Sequence, residues 1–364
     1  MKNTLGNNVT VSIFGESHGA AIGALIDGIA PGIEIDTEYI KEILSLRRPS
    51  GDISTARKEA DEFSILSGVF EGKTTGTPIC IVIPNNDTKS KDYSKMQFTA
   101  RPSHADFAAN CKYHGFQDYR GGGHFSGRIT AALCAAGAIF LSALSKKGIQ
   151  IGTHIKKCAG ISDRNFEVLE NDINELYKKE FAVLDNSKGN EMQEKIREAK
   201  SEGDSVGGVL ETAVIGLPSG LGEPFFDSVE SMLSHAIFSI PAVKGIEFGA
   251  GFGLSDMKGS EANDSFYIEN GEVKIATNNN GGINGGITNG APVIFKTAIK
   301  PTPTISKEQN TVDFKEMKEV ILKAGGRHDP CIVHRARIVV DCITAIVISD
   351  ILSGRYGTDW LGEK

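Results

Sequence analysis

Alternating apolar and polar positions near the start of the chain predict a strand that ends in a turn. Val9, Val11 and Ile13 alternate with polar residues, which is the period of a half-buried strand. The segment 14–19, Phe-Gly-Glu-Ser-His-Gly, follows directly. Because glycine lets a backbone turn sharply, this segment presents its side chains instead of packing them. On its own, an imidazole beside a hydroxyl and a carboxylate allows base catalysis, proton shuttling or no chemistry at all.

Helical spacing of apolar residues predicts the main helices. One helix begins after Asp36, which is placed to cap it, and ends before Pro49, so Arg47 and Arg48 lie at its C-terminal end. The segment 129–144 is mostly apolar but contains polar residues, which is typical of a buried core helix rather than of a membrane span. Further helices are predicted at 104–113, 229–237 and 314–323.

Short runs of β-branched and aromatic residues predict strands between these helices. They lie at 63–70, 79–83, 209–215 and 293–299, and a hairpin is predicted at 266–275. The hairpin turns at Asn270-Gly271, a pair that favours a tight two-residue turn. Strands and helices alternate without a regular βαβ repeat, which argues against a doubly wound nucleotide-binding fold.

Length and composition predict one large domain that spans 1–364. A prior of about 150 residues per domain would suggest about two domains, but no linker or low-complexity run divides the chain. The segments with candidate chemistry also come from both ends of the chain. Residues 165–202 are rich in charge at helical spacing, so we expect a solvated helical insertion within the domain.

Charge and cysteine spacing exclude several classes of protein. The chain has 39 basic and 46 acidic side chains and a net charge of -7, so neither nucleic acid nor an anionic membrane is expected as a partner. Its six cysteines contain no Cys-x-x-Cys pair and its histidines show no metal-ligand spacing, which predicts reduced thiols and no metal site. The N-terminal residues have no signal-peptide pattern, so a cytoplasmic location is expected.

Arginine and histidine recur beside glycine or proline. The segments 101–106, 120–124 and 325–330 all share this feature with 14–19. Several arginines lie near such breaks or at helix ends, where a guanidinium can bind carboxylate or phosphate with two hydrogen bonds. Surface arginines would give the same pattern. These arginines are Arg47, Arg48, Arg57, Arg101, Arg128 and Arg327.

A glycine- and asparagine-rich segment at 278–286 allows backbone amides to face a ligand. Concavities lined by amides suit phosphate or the edge of a flavin ring. Lys300-Pro301-Thr302 follows a strand and adds a cation and a hydroxyl. A structural turn and a solvent-facing lysine are the alternatives for these two segments.

Taken together, these segments resemble the chorismate synthase family over essentially the whole chain. The resemblance implies an α+β fold, a β-α-β sandwich, in a homotetramer. It implies a phosphate lyase of the shikimate pathway of aromatic amino acid biosynthesis, which converts 5-enolpyruvylshikimate 3-phosphate to chorismate with reduced FMN that is not consumed. Whether NADPH reduces the flavin on this chain, or a separate flavin reductase does so, stays open. The matching stretches are 14–19, 66–72, 90–93, 101–106, 118–123, 220–224, 242–245, 281–287, 300–302 and 326–331.

The resemblance also implies roles for matching residues. His18 would protonate the reduced flavin, and His104 would donate a proton to the departing phosphate. Asp329, with Ser17 as a relay, would assist removal of the flavin N5 proton. Substrate phosphate and carboxylates would be held by Arg48, Arg101, Arg128 and Arg327, with Arg47 and Arg57 as weaker candidates. FMN contacts would come from His124, Phe125, Ser126, Ala242, Gly285, Lys300, Pro301, Thr302, Pro303, Thr304 and Arg327.

The chain departs from the family pattern at the flavin edge. Many members have Arg-Ser-Ser-Ala-Arg-Glu after the glycine triplet, whereas 124–129 reads His-Phe-Ser-Gly-Arg-Ile, so a titratable group replaces a permanent cation. Pro241 replaces a common asparagine, Asn280 stands where a small residue is frequent, and an arginine often found near 52–53 is missing. Two alternative functions remain: an ordinary flavin oxidoreductase, and a flavin- or phosphate-binding protein without catalysis.

Overall fold

The computed structural model describes residues 2–49, 51–55, 61–86, 97–324 and 328–362. Within these ranges the helices are α1 Thr37–Arg47, α2 Asp106–Tyr113, α3 Thr130–Lys146, α4 Leu169–Leu176, α5 Asn186–Ser201, α6 Val229–Ile237, α7 Gly259–Ala262 and α8 Val333–Tyr356. The strands are β1 Thr4–Leu5, β2 Thr10–Gly15, β3 Ala21–Asp27, β4 Ser64–Ser67, β5 Val69–Phe70, β6 Lys73–Thr74, β7 Ile79–Pro84, β8 Gln150–Cys158, β9 Ile161–Ser162, β10 Gly208–Ile215, β11 Val243–Phe248, β12 Phe266–Glu269, β13 Glu272–Ile275, β14 Ile283–Asn284, β15 Ile287–Thr288, β16 Val293–Ile299, β17 Gln309–Asp313 and β18 Lys318–Leu322.

Two five-stranded antiparallel sheets form the outer layers. The first has the strand order β1-β2-β3-β7-β4, and the second has the order β11-β16-β10-β8-β9. Between them, α3 packs against β3 and β7, whereas α8 packs against β8 and β10. The two helices also pack against each other, and α1 contacts both. This arrangement confirms the α+β fold and the β-α-β sandwich.

Burial between the sheets explains the apolar composition of α3. The helix is long and apolar enough to cross a membrane by length and composition, but 78% of the most apolar stretch is buried inside the protein. Gly137 lies at its contact with α8, where an added Cβ would stand 2.4 Å from Cβ of Cys342. Such a close helix–helix approach has no room for a larger side chain. The prediction of a buried core helix at 129–144 is confirmed.

Most elements predicted from local patterns are present. Helix α1 begins after Asp36, whose carboxylate accepts hydrogen bonds from Glu38 N and Tyr39 N. The hairpin of β12 and β13 turns at Asn270-Gly271, as predicted. The strand predicted at 63–70 is divided into β4 and β5 at Gly68, which has a φ of +79°. The charged segment 165–202 contains α4 and α5, and its status as an insertion stays a prediction.

The helix predicted at 314–323 is wrong, because this segment is part of a β-hairpin. β17 pairs with β18 across a turn in which the Asp313 carboxylate accepts hydrogen bonds from Lys315 N (3.0 Å) and Glu316 N (2.9 Å). Met317 completes the turn at a φ of +51°. The hairpin also pairs with the residues that precede Arg101, since Ala100 N donates to Val312 O (3.1 Å). It therefore supports a segment predicted to be functional.

Candidate active site

The turn at 14–19 follows β2 and is tied to the glycine triplet at 121–123. Ser17 N donates to Gly123 O (3.1 Å), and Nδ1 of His124 donates to Gly15 O (2.8 Å). The Ser17 hydroxyl lies 3.1 Å from His18 Nδ1. These contacts hold the histidine of the turn against a second predicted segment.

Gly121 lets the His18 ring approach the backbone closely. Its φ is +66°, and an added Cβ would stand 2.3 Å from His18 Cε1 and 2.6 Å from Nδ1. The Gly121 carbonyl accepts a hydrogen bond from Arg101 NH1 (3.1 Å). Because of this shared glycine, the segments 14–19, 101–106 and 120–124 lie together.

His104 is held by a carboxylate two residues further along. Its Nδ1 lies 2.8 Å from Asp106 Oδ1 and 3.1 Å from Arg101 NH2. A carboxylate only accepts hydrogen bonds and a guanidinium only donates them, so Nδ1 cannot bond to both groups in one protonation state. We assign the Nδ1 proton to the shorter contact, which is the one with Asp106. Nε2 is then the ring nitrogen left for exchange with a ligand. His104, Arg101 and Asp106 also line a small cavity together with Tyr119 and Phe125.

Asp106 is a strong anionic anchor. Burial alone would raise the pKa of its carboxyl, but hydrogen bonds from Arg101 and His104 outweigh burial and hold this pKa well below its usual range. Arg101 donates to it from its backbone N (3.0 Å), from Nε (2.8 Å) and from NH2 (2.7 Å). The carboxylate therefore fixes both the guanidinium and the imidazole.

Lys300 joins the second sheet to this cluster. It follows β16, and its Nζ donates to Ser103 O (2.6 Å), next to His104. Burial, together with repulsion from Lys244, lowers the pKa of Lys300. Its backbone N donates to Ala242 O (3.0 Å), and Ala242 has a φ of +75°. The structure thus brings the Lys300 side chain next to the predicted acid His104, and it pairs the Lys300 backbone with Ala242.

Three of the predicted arginines meet at Asp61, which sequence reasoning missed. Arg47 NH2 lies 3.3 Å from Asp61 Oδ2, and Arg48 Nε lies 3.7 Å from the same oxygen. Arg128 NH1 makes an ion pair with Oδ1. Asp61 has a fully buried side chain, so within the described residues its carboxylate is shared by three cations.

Asn85 connects the arginine cluster to the histidine turn. Its Nδ2 donates to Glu16 O (2.9 Å) and Gly19 O (3.0 Å). Its Oδ1 accepts from Arg128 Nε (3.1 Å). The amide therefore fixes the position of Arg128 relative to the turn that carries His18.

Asp329 lies on the far side of the arginine cluster. It accepts hydrogen bonds from Thr55 N (2.8 Å) and from Arg335 NH1 (2.8 Å). Arg335 Nε in turn donates to Arg47 O (2.9 Å). Ser17 contacts His18 and the carbonyl of Arg120, so its action as a relay to Asp329 stays a prediction.

Other predicted residues lie at varying distances from these clusters. The Ser126 hydroxyl caps Arg128 N (3.2 Å), and Phe125 packs edge-on against Tyr113. An added Cβ at Gly285 would meet nothing within 4 Å, so this glycine borders open space. Arg57, Arg327 and the matching stretch 90–93 lie outside the described residues. Pro301, Thr302, Pro303 and Thr304 continue from Lys300, and their roles stay predictions.

Apart from Asp329, the acidic and amide side chains that hold the predicted residues in place were not predicted from sequence. Asp118 pairs with Arg120 (2.7 Å), and this hydrogen bond is the main reason that the pKa of Asp118 is lowered. Asp106 and Asp118 fall within matching stretches, so their position beside histidine or arginine was a usable signal. Asp61 and Asn85 lie in no such stretch.

Comparisons with known proteins show which family the chain resembles. A family model described as chorismate synthase matches residues 9–352. A chorismate synthase of Thermococcus kodakarensis is 44% identical over 351 residues, which cover 96% of this chain and 97% of that protein. One of Parabacteroides distasonis is 45% identical over 357 residues, covering 96% and 97%. A crystal structure of chorismate synthase superposes with a TM-score of 0.75 at 28% identity, covering 98% of this chain and 95% of that one.

Proposed function

The chain belongs to the chorismate synthase family, and we propose that it converts 5-enolpyruvylshikimate 3-phosphate to chorismate with loss of phosphate. This 1,4-elimination must expel a phosphate and remove an unactivated ring hydrogen. Cations must therefore face the leaving group, and a proton donor must stand beside them. The observation that carries the proposal is the convergence of His18, His104 and Arg101 on one glycine turn, linked through Asn85 to the arginine cluster.

Reduced FMN is the cofactor that we propose, and the residues present fit it. Lys300 offers a cation, and the open space at Gly285 leaves room for a flat group. Thr302 Oγ1 is buried without a hydrogen-bond partner among the described residues, which suits a ligand oxygen. When bound, reduced flavin supplies an electron that the reaction returns, so the ring hydrogen leaves without net oxidation of the substrate.

The roles of the histidines follow from their partners. Asp106 holds His104 at Nδ1 (2.8 Å), so Nε2 is the atom that gives a proton to the departing phosphate. Ser17 and Gly121 fix the His18 ring, and this imidazole would be the group that protonates a bound reduced flavin. Arg101 and Arg48 would bind the anionic groups of the substrate, and Asp329 would assist removal of the flavin N5 proton.

We further propose that the chain assembles as a homotetramer in the cytoplasm. Phe225, Phe226, Phe252 and Ile268 are largely exposed, and apolar side chains of this size are usually covered by a partner. A second copy of the chain is the partner that the family resemblance implies. Analytical ultracentrifugation tests the tetramer, and a monomer at micromolar concentration would refute it.

An anaerobic assay with the purified chain tests the function. We expect 5-enolpyruvylshikimate 3-phosphate and a catalytic amount of chemically reduced FMN to give chorismate and phosphate in equal amounts. Turnover that consumes flavin stoichiometrically would instead indicate an oxidoreductase, and binding without turnover would indicate a binding protein. Replacing the chemical reductant by NADPH shows whether the chain reduces its own flavin or needs a separate flavin reductase.

A matched variant links the activity to the site. We expect His104→Ala to lower turnover by about 10²- to 10⁴-fold, the usual contribution of a positioned acid, while FMN still binds. His235, which lies on the last turn of α6, provides a control: His235→Ala should keep full turnover. Wild-type turnover in His104→Ala would remove His104 from the mechanism.

A further inference from the structure

The proposed reaction has no direct role for the Asp61 carboxylate. The proposed substrate is anionic, so a carboxylate among the arginines that bind it would compete with it. Yet Asp61 is fully buried and faces Arg47, Arg48 and Arg128. Its backbone also adopts a φ of +50°, which few residues other than glycine, asparagine and aspartate reach without strain.

The charges of the cluster require a counter-ion. The side chains of Arg47 and Arg128 are only 5% and 9% exposed, and buried cations are stable only when they are paired. Without Asp61, three guanidinium groups would repel one another where little water screens them. With it, the described part of the cluster places one shared carboxylate against all three guanidinium groups.

The three arginines differ in how far their side chains are exposed. Arg47 also donates to Gly127 O (3.3 Å), and Arg128 also donates to Asn85 Oδ1 (3.1 Å) and Pro84 O (3.2 Å). Arg48 lies 3.7 Å from Asp61, beyond hydrogen-bond distance, and its side chain is 33% exposed. Since its side chain is more exposed than those of Arg47 and Arg128, Arg48 is the member of the cluster that is most accessible to an incoming anion.

We propose that Asp61 is a positioning residue for the anion-binding arginines. Its carboxylate fixes Arg47 and Arg128 and keeps Arg48 beside them, so the substrate meets an organised set of cations. The identity of that substrate rests on the proposed function. Anion binding itself does not, because inorganic phosphate is a probe that needs no turnover.

Asp61→Asn separates positioning from competition, because the two roles predict effects of opposite sign. If Asp61 only competed with the substrate, its neutralisation would strengthen anion binding. If it positions the arginines, we expect the Kd for inorganic phosphate and the KM for 5-enolpyruvylshikimate 3-phosphate to rise by about tenfold or more, with a smaller fall in kcat. Unchanged or lower values in a folded variant would overturn the proposal.

The control is Asp172→Asn, which removes a carboxylate that pairs with Arg164 through two hydrogen bonds in the charged segment. This variant should bind phosphate as the wild type does. A loss of melting temperature in Asp61→Asn with unchanged phosphate affinity would show a merely structural role.

A second variant covers the case in which Asp61→Asn does not fold. Asp61→Asn with Arg47→Met removes a cation together with its counter-ion, which restores the balance of buried charge. We still expect weaker phosphate binding, because Arg48 and Arg128 remain without their anchor. Wild-type affinity in this double variant would overturn the proposal. If the wild type binds phosphate but shows no turnover, the proposed reaction fails while the phosphate titrations still decide the role of Asp61.

Discussion

Replacing Asp106 by asparagine tests whether the carboxylate acts through His104. Asp106 accepts one hydrogen bond from His104 and three from Arg101. Asparagine has the same shape as aspartate, but its one carbonyl oxygen cannot accept hydrogen bonds from both His104 and Arg101. Its NH2 group would then face a donor on one of these two residues. We expect His104 to stay in place while its protonated form loses the charge that stabilises it.

The hydrogen bonds indicate the size of the effect. A hydrogen bond to a charged group contributes about 1.5–3 kcal/mol, which corresponds to about 10- to 150-fold in rate. We therefore expect kcat of Asp106→Asn to fall by this factor. The fall should not exceed that of His104→Ala. If Asp106 acts only through His104, the double variant should be no slower than His104→Ala, since residues that act as a unit are not additive.

Single-turnover measurements with reduced FMN provide the assay, with the melting temperature and the FMN affinity of each variant as controls. Asp172→Asn, whose carboxylate also pairs with an arginine, should keep the wild-type rate. An unchanged rate in Asp106→Asn would refute the reasoning. A double variant much slower than His104→Ala would show that Asp106 acts through Arg101 instead.

Three further predictions concern packing, buried charge and the arginines. Gly121→Ala should lower turnover by about tenfold or more, because the new Cβ would collide with His18, and should also lower the melting temperature, because alanine is strained at a φ of +66°; steady-state kinetics and a thermal scan check this. Burial raises the pKa of Asp341 from 3.8 to about 6, so the folded state binds this proton more tightly than the unfolded state. As the pH rises from about 4 to about 6, the wild type should lose about 2 kcal/mol of unfolding free energy relative to Asp341→Asn, which denaturant titrations at each pH measure. Arg48→Ala should raise the substrate KM with little change in melting temperature, whereas Arg47→Ala should lower the melting temperature, because Arg47 is the more deeply buried of the two.

Local patterns predicted most of the helices and strands because the residues that cap or connect these elements lie close to them in sequence. The cap at Asp36 and the turn at Asn270-Gly271 act within a few residues, so the sequence displays them directly. The prediction of a helix at 314–323 is wrong because the structure of this segment depends on its partner strand. Its apolar residues fit the spacing of a helix. Met317 nevertheless adopts a positive φ, and β18 pairs with β17. The spacing of side chains within this segment predicts neither feature.

The cations and imidazoles of the site could be predicted because they stand beside glycine or proline. His18, His104 and Arg101 all lie in such turns, and the structure brings these turns together at Gly121. The function of Gly121 was not predicted, because a close approach between a ring and a backbone depends on residues about a hundred positions apart. Only the fold shows which of many glycines carries such a contact.

The carboxylates that hold these cations are harder to predict, because a carboxylate can pair with a cation that is distant in sequence. Asp106 is two residues from His104, so its role follows from the segment that contains both. Asp61 is 14 residues from Arg47 and 67 from Arg128, and no glycine or proline flanks it in sequence. A buried counter-ion needs only to be near its cations in space, and its burial removes it from the surface where ligands are sought. The cations of an anion site are therefore visible in the sequence, whereas the acids that set their geometry are found only by asking what neutralises them.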